Sequence, residues 1–512
     1  MIHVWKRALA AAALLALALG AFGFPGPALA EGEGDPAKEP AEISLTMTCD
    51  PGTSVTICWT TLDTKLKNPV ALIWESGSIE ASARQFEATA VKRNVNKSTV
   101  KNGRKPVTVK NFYTAPITGL TPGSEYCYRC GVPGYMSAVG TFKTAPAGND
   151  EYTFLYAADP QVARYHSNAW LANLGIMRAI CPDAGFMLVA GDFTDNNNEG
   201  EWESFFNQPG NQRYIAGYGS APLSGLPIAG VAGDHDGYKY ASSGIYTHFS
   251  FESQVNGVPV TYAFDYGAAR FIVLDLEDPY SLGSPKKRAA QAEFLNKEVA
   301  QAKAEGKWTI VAFHEALYSG AKHMAAQVGV ISSRKHWGPV LAALDVDVVL
   351  AGHDHVFSRG FVQANGSKAD ITDQFSDREY MAFSPANAPL YYTGGCASTR
   401  KFYGAYMDDK WIARGDPITK NFGYLDICSG LPAGYISKTT GKSMNPGPFT
   451  YLTGDARYMS FTSVTVADGW LEFKTYMTGF NPIKNIVTQD TFLYDSLLLI
   501  RNGSDGSAED AP

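Results

Sequence analysis

The chain has 512 residues, more than one core ordinarily supports, so two domains are expected. Its 43 basic and 50 acidic side chains leave a formal charge of −7, or −9 without residues 1–30, which carry Lys6, Arg7 and no acid. That mild acidity, with no basic run, argues against a nucleic-acid or anionic-membrane partner.

The chain opens on an export signal over residues 1–30. Lys6-Arg7 are its charged region, Ala8 to Leu19 its apolar region and Ala28-Leu29-Ala30 its cleavage site. The apolar core is short for a membrane span, and Pro25 and Pro27 follow it, which favours a secreted or extracytoplasmic protein over an anchored one. No Cys near the cleavage site offers a lipid attachment, and no other run approaches transmembrane length. Residues 31–41 are polar and Pro-bearing, a leader expected to be disordered. Residues 42–145 read as all-β. Ser54 to Thr61 alternates with a β-branched bias, and Val70 to Trp74 and Lys105 to Val109 are further short strands. The stretch Ile117 to Tyr126 resembles the corner before the sixth strand of a fibronectin type III domain, where Tyr126 would bond back to the upstream backbone. All seven cysteines follow the export signal. Four lie between residues 49 and 130, where an exported protein could form disulfides, but spacing does not fix the pairing and the odd count leaves one over. Cys127 and Cys130 have zinc or redox spacing, yet both sit in the strand pattern Tyr126-Cys127-Tyr128-Arg129-Cys130. Thr144 to Asp150 is a linker.

From Glu151 strands alternate with helices, and 151–500 reads as one α/β unit. Helices are expected from about His166 to Ile180, from Lys286 to Gly306 and near Trp337 to Leu344. Tyr165 and His166 read as a solvated helix start. Residues 365–390 and 404–456 are rich in Gly, Pro and aromatics and weakly periodic, as long loops are. A hairpin of Ser463–Val466 with Trp470–Lys474 closes the unit, and 501–512 is an acidic tail.

Five apolar runs end in Asp or His. Phe154 to Ala158 leads to Asp159-Pro160-Gln161, and Phe186 to Ala190 leads to Gly191-Asp192. Ile228 to Ala232 leads to Gly233-Asp234-His235-Asp236, Ile310 to Phe313 leads to His314, and Val346 to Leu350 leads to Gly352-His353-Asp354-His355. Ligands of α/β sheets collect beyond the carboxyl ends of strands, so five ends carrying only oxygen and imidazole donors point to one metal site. If the last turn is extended, His353 and His355 leave it on one side. Singly, each has a plain structural reading: a core histidine, an Asp-Pro turn, a helix cap. Asp275 and Asp278 end a strand without such company and read as structural.

In this order the motifs resemble the calcineurin-like metallophosphoesterases. With the β-domain in front they resemble the purple-acid-phosphatase architecture over roughly residues 42–400. Pro389 to Gly395 is similar to the strand and turn that follow the last motif. The resemblance implies a four-layer α/β/β/α sandwich and two divalent metal ions (Fe, Mn or Zn) bridged by Asp192. Asp159, Gln161 and His355 would complete one site, and Asp234, His314 and His353 the other. It implies hydrolysis of phosphate monoesters by a metal-bridging hydroxide, with His235 and, on a weaker match, His323 facing the substrate as catalytic residues. Gln161 stands where many relatives have His, Asp234 where the motif has Asn, and Asp195 where purple enzymes carry a tyrosine ligand. The alternatives are a phosphodiesterase acting on nucleotides or phospholipid head groups, or a surface-binding protein with a degenerate phosphatase domain. In that last reading the β-domain makes the cell-surface contact.

Overall fold

The computed structural model describes residues 35–96, 107–163, 167–207, 221–236, 244–277, 284–369, 373–376, 379–400, 427–428 and 457–501. Residues 1–34, which include the expected export signal, and Tyr165, His166, Asp278, nearly all of 404–456 and the tail beyond 501 lie outside the described residues.

Residues 35–40 form a turn fastened by Asp63 N–H, which donates to Ala37 C=O (2.6 Å). Nine strands follow: β1 (Ala41–Thr46), β2 (Val55–Thr61), β3 (Val70–Glu75), β4 (Arg84–Glu87), β5 (Thr89–Asn96), β6 (Val107–Ile117), β7 (Glu125–Val132), β8 (Tyr135–Met136) and β9 (Gly140–Lys143). They make two layers, β1-β2-β6-β5 and β4-β3-β7-β8 with β9 on β7. Alternate side chains such as Ile57, Trp59, Ile73, Tyr113 and Tyr128 fill the space between. The Tyr126 hydroxyl accepts the Thr121 backbone N–H at 2.9 Å, tying the corner before β7. Cys127 and Cys130, three apart on β7, leave opposite faces, so they form no shared site. Cys49, Cys58, Cys127, Cys130 and Cys181 are free thiols.

The larger unit holds β10 (Tyr152–Ala157), β11 (Met187–Val189), β12 (Ile228–Gly230), β13 (Tyr262–Tyr266), β14 (Ala269–Val273), β15 (Trp308–Ala312), β16 (Val348–Ala351) and β17 (Phe357–Phe361). It continues with β18 (Asp373–Ser376), β19 (Glu379–Phe383), β20 (Leu390–Gly394), β21 (Ile427–Cys428), β22 (Arg457–Val466), β23 (Trp470–Asn481) and β24 (Ile486–Ile500). One sheet runs β18-β19-β24-β23-β22-β10-β11-β12, the other β13-β14-β15-β16-β20-β17-β21. The strand period explains the layering. On β10, Phe154 and Tyr156 face the core between the sheets, with Phe271, Ile310 and Leu350 opposite. Leu155 and Ala157 face outward, under Trp170, Leu171 and Leu174 of the helix Ser167–Ile180. On the far side Ile272, Val311 and Val349 meet Leu295 and Val299 of the helix Pro285–Ala304, and Trp337 and Leu341 of the helix Val328–Ala343. The result is helix, sheet, sheet, helix. Ser284 caps the first of those two helices through Lys287 N–H, and Gly306 ends it at φ +69°.

Four sequence expectations change. The leader expected to be disordered over 31–41 is an ordered turn from Asp35, and Ala41 already belongs to β1. The loop expected over 365–390 contains β18, β19 and the start of β20, with β19 parallel to β24. The expected hairpin is longer and gains β24 as a third strand. The helix expected near Trp337 begins at Val328 and runs through Pro339.

The two units share a sheet. β1 pairs β12 in parallel, Thr46 opposite Ile228, and Met47 N–H donates to Ile228 C=O (2.9 Å), which makes one sheet of twelve strands. Beside this seam a charged cluster is buried. Lys110 of β6 reaches Glu42 (2.5 Å), Glu199 (2.6 Å) and Glu203 (3.1 Å). His248 lies between Glu42 (3.6 Å) and Glu199 (3.4 Å). Glu42, Glu199 and His248 are close enough to hold a metal ion. The three bonds of the Lys110 ammonium already use all its donors and put the positive charge there.

Candidate metal centre

β10, β11 and β12 are parallel neighbours in one sheet, and β15 and β16 are parallel neighbours in the other. Because the sheets face each other, their carboxyl ends open at one place. There the chain brings together Asp159 and Gln161 after β10, Asp192 after β11, Asp234 and His235 after β12, His314 after β15, and His353 and His355 after β16. Five of these residues have left-handed backbone: Asp159 (φ 49°), Gln161 (40°), Asp192 (54°), His353 (67°) and His355 (48°). The turn at His353 and His355 is therefore not extended as expected; both side chains reach the site from left-handed positions. Each such non-glycine residue costs about 1–3 kcal/mol, strain of a kind that gathers at functional sites. Glycines make the room. A Cβ on Gly352 would stand 2.6 Å from Asp159 Oδ2 and 2.7 Å from Ala190 O, and one on Gly191 would stand 2.4 Å from His314 Nδ1.

Asp159, Asp192 and His355 form one ligand group, with His355 Nε2 3.3 Å from Asp159 Oδ1. Gln161 adjoins it, its Nε2 donating to Asp192 Oδ2 (3.0 Å). Asp234, His314 and His353 form a second group, with Asp234 Oδ1 3.5 Å from His314 Nε2 and 3.3 Å from His353 Nδ1. Asp192 joins the two, since His314 Nε2 lies 3.4 Å from its Oδ1. Two further observations fit metal ions. Gln161 Oε1 and Asp234 Oδ1 are buried oxygens with no hydrogen-bond partner, and the donors are the oxygen and imidazole atoms that divalent zinc, iron or manganese accept.

The electrostatics suit a cation. Burial works to raise the Asp192 carboxyl, but His314 and His235 hold it down at about 2. Burial also works to raise Asp234, and the adjacent His314 and His353 rings take it well below the carboxylate range. Burial opposes charge on His314, yet Asp192, Asp234 and Asp159 raise it well above the usual imidazole value. Three carboxylates around this one ring are a field that favours a cation.

Other side chains fix which nitrogen faces the centre. His314 Nδ1 bonds Ala190 C=O (2.7 Å), and His353 Nε2 bonds Gln327 Oε1 (2.6 Å). His235 Nδ1 faces the Asp195 carbonyl, while Nε2 stands 3.9 Å from Asp192 and 4.0 Å from Asp234. His323 is at the same mouth, its ring 4.4 Å from that of His353, with Nδ1 against Asp354 Oδ1 (3.1 Å) and His353 C=O (3.2 Å). Asp195 is in neither ligand group; its carboxylate accepts from Arg400 (2.8 Å) and Asn196 (3.0 Å). Asp275 is buried against Gln291.

Sequence reasoning assigned no role to Gln327, Asp354 or Asp236. Asp236 accepts the backbone N–H groups of Asp192 (2.7 Å), Phe193 (2.9 Å) and Gly233 (2.9 Å), clasping two motif loops together. Its place inside Gly233-Asp234-His235-Asp236 was the available signal. Asp354 likewise stands between two candidate ligands.

Residues 152–357 match the calcineurin-like phosphoesterase family, and residues 40–144 match the purple acid phosphatase N-terminal domain. An uncharacterized protein of Mycobacterium tuberculosis is 27% identical over 289 residues, 48% of this chain and 50% of that protein. Purple acid phosphatase 15 of Arabidopsis thaliana is 22% identical over 311 residues, 53% of this chain and 55% of that one. The chain thus spans about half the length of the curated relatives it matches. Among solved structures, purple acid phosphatase PPD1 from yellow lupin (Lupinus luteus) seeds superposes with a TM-score of 0.61 at 16% identity, covering 91% of this chain and 75% of that one. PhoD superposes at 0.51 and 14% identity, covering 90% of this chain and 91% of that one. These two share the fold, and no helix among the described residues is long and apolar enough to cross a membrane. The chain thus sets a calcineurin-like phosphoesterase domain at 152–357 behind a purple acid phosphatase N-terminal domain at 40–144.

Proposed function

We propose that this protein is an exported phosphoesterase that uses two divalent metal ions to hydrolyse phosphate monoesters. The observation that carries this reading is the pair of ligand groups meeting at Asp192. Asp159, Gln161, Asp192 and His355 would hold one ion, and Asp192, Asp234, His314 and His353 the other. Bound there, two such ions would neutralise phosphoryl oxygens and supply a hydroxide nucleophile at neutral pH. The chain's own residues do the rest. The Asp195 carbonyl fixes His235 Nδ1, so Nε2 faces the cleft and hands a proton to the departing oxygen. The Asp354 carboxylate holds the His323 ring at the same mouth. Asp236 keeps the Asp192 and Asp234 loops at a fixed spacing. Export is supported by the signal-like residues 1–30, and a fibronectin-like front domain by the Tyr126 corner.

The test is metal analysis of the mature protein, with hydrolysis of an aryl phosphate and a bis-aryl phosphate. Close to two metal ions per chain and preference for the aryl phosphate are expected. Asp192→Ala should lose both ions, and full metal content and activity in that variant would remove the assignment.

A further inference from the structure

A cation stands near this cleft that no motif pointed to. Arg400 lies beyond β20 on a segment bound to the strand end that delivers Asp159. Ala397 N–H donates to Ala158 C=O (2.7 Å), and the Cys396 thiol donates to Asp159 C=O (3.2 Å). Arg400 Nη2 donates to Asp195 Oδ2 (2.8 Å), and the carbonyl of that same Asp195 faces His235 Nδ1. One residue thus anchors both a guanidinium and the imidazole assigned to proton transfer. The anchor's side chain is 8% exposed, whereas Arg400 is 34% and His235 27% exposed, so both reach outward from a buried base.

Charge indicates what an arginine does here. Asp159, Asp192 and Asp234 set three negative charges against two dications, leaving about one positive charge where an Asn at position 234 would leave about two. A monoester phosphoryl group, with a second pKa of about 6, is largely dianionic at neutral pH. We infer that Arg400 is a specificity-determining residue that binds the non-bridging oxygens of a dianionic phosphoryl group and so selects monoesters over diesters. Paired with Asp195, it leaves the net charge unchanged, and what it offers the phosphoryl group is a set of charge-assisted donors. A guanidinium has five donors in a planar fork, so a bond to Asp195 is compatible with a forked contact to phosphate. In a diester one of those oxygens carries a second organic group and lacks the charge. The inference rests on the phosphoesterase reading and names its ester class.

The experiment uses the metal-loaded full chain, with Arg400→Gln and Arg400→Lys. Two quantities are measured: kcat/KM on an aryl phosphate and on a bis-aryl phosphate, and the Kd of inorganic phosphate by calorimetry. Arg400→Gln should lower the monoester-to-diester ratio about 10- to 100-fold, through KM, and weaken phosphate about as much, with metal content unchanged; this is the range of a lost charge-assisted hydrogen bond. Arg400→Lys, which keeps the charge and loses the fork, should recover part of both. An equal loss on both esters, or an unchanged phosphate Kd, overturns the inference. If the wild-type chain hydrolyses neither ester, the phosphoesterase reading fails, and calorimetry still decides for Arg400. Should Arg400→Gln not fold, a several-fold weaker phosphate Kd in Arg400→Lys supports the inference and an unchanged one overturns it.

Discussion

A backbone carbonyl faces His235 Nδ1, as one faces His314 Nδ1, but its Nε2 stands farther from the carboxylates, 3.9 Å from Asp192 and 4.0 Å from Asp234. His235→Ala should therefore keep both metals and lose about 10²–10⁴-fold in kcat, the range of a positioned general acid. Metal analysis beside single-substrate kinetics checks both halves, and normal turnover would take His235 out of the chemistry. Gln327 makes a different kind of contact. It holds the proton on Nε2 of His353 and leaves Nδ1 toward Asp234. Gln327→Leu should weaken one of two metal equivalents about 10- to 100-fold and leave the other, a split that a metal titration resolves. The residues that meet at the candidate centre were legible in the sequence because each follows an apolar run. Gln327 was not: it lies between two helices and meets His353 only across the fold, so no local pattern announces it. Asp195 was legible as a departure from the family pattern, but its bond to Arg400, 205 positions away, was not.

At the scale of elements, the site is made by strand ends whose last residues turn left-handed. Gly352 shows how little space remains. Gly352→Ala would press a methyl against Asp159 Oδ2 and Ala190 O, neither of which can yield without moving a ligand or a strand end. The expected result is loss of metal from the Asp159 group and destabilisation of about 1–3 kcal/mol, read from metal content and a denaturation midpoint. The buried strands β10, β11, β15 and β16 were plain in the sequence because both their faces meet hydrophobic layers and the runs are nearly unbroken. β18, β19 and β24 were not. β24 is exposed from Ile486 to Asp490 and buried only from Asp495 onward, so its apolar residues show no period over the first half. The helix Val328–Ala343 was placed too late because Gly338 and Pro339 sit inside it and Val328 is exposed.

At the scale of the whole molecule, two domains were evident from the change of period near residue 150, but the way they join was not. Lys110 comes from the front unit and its partners Glu199 and Glu203 from the other. Burial pushes Glu42 up despite Lys110, whereas His248 and Lys110 overcome burial to hold Glu199 down at about 2. Lys110→Met would leave these carboxylates without their ammonium, and a loss of about 3–5 kcal/mol is expected in chemical denaturation. Adding Glu199→Gln should return part of it, because one stranded charge is then gone. The shared sheet carries a consequence for anyone dissecting the protein. Residues 144–150 look like the natural place to cut. A clone starting there would bare the flank of β12 as a sticky rim of unpaired amides and carbonyls, and would leave Glu199 and Glu203 without the Lys110 ammonium. Such a fragment should clump rather than fold, and its silence in an assay would report a torn seam, not an idle catalyst.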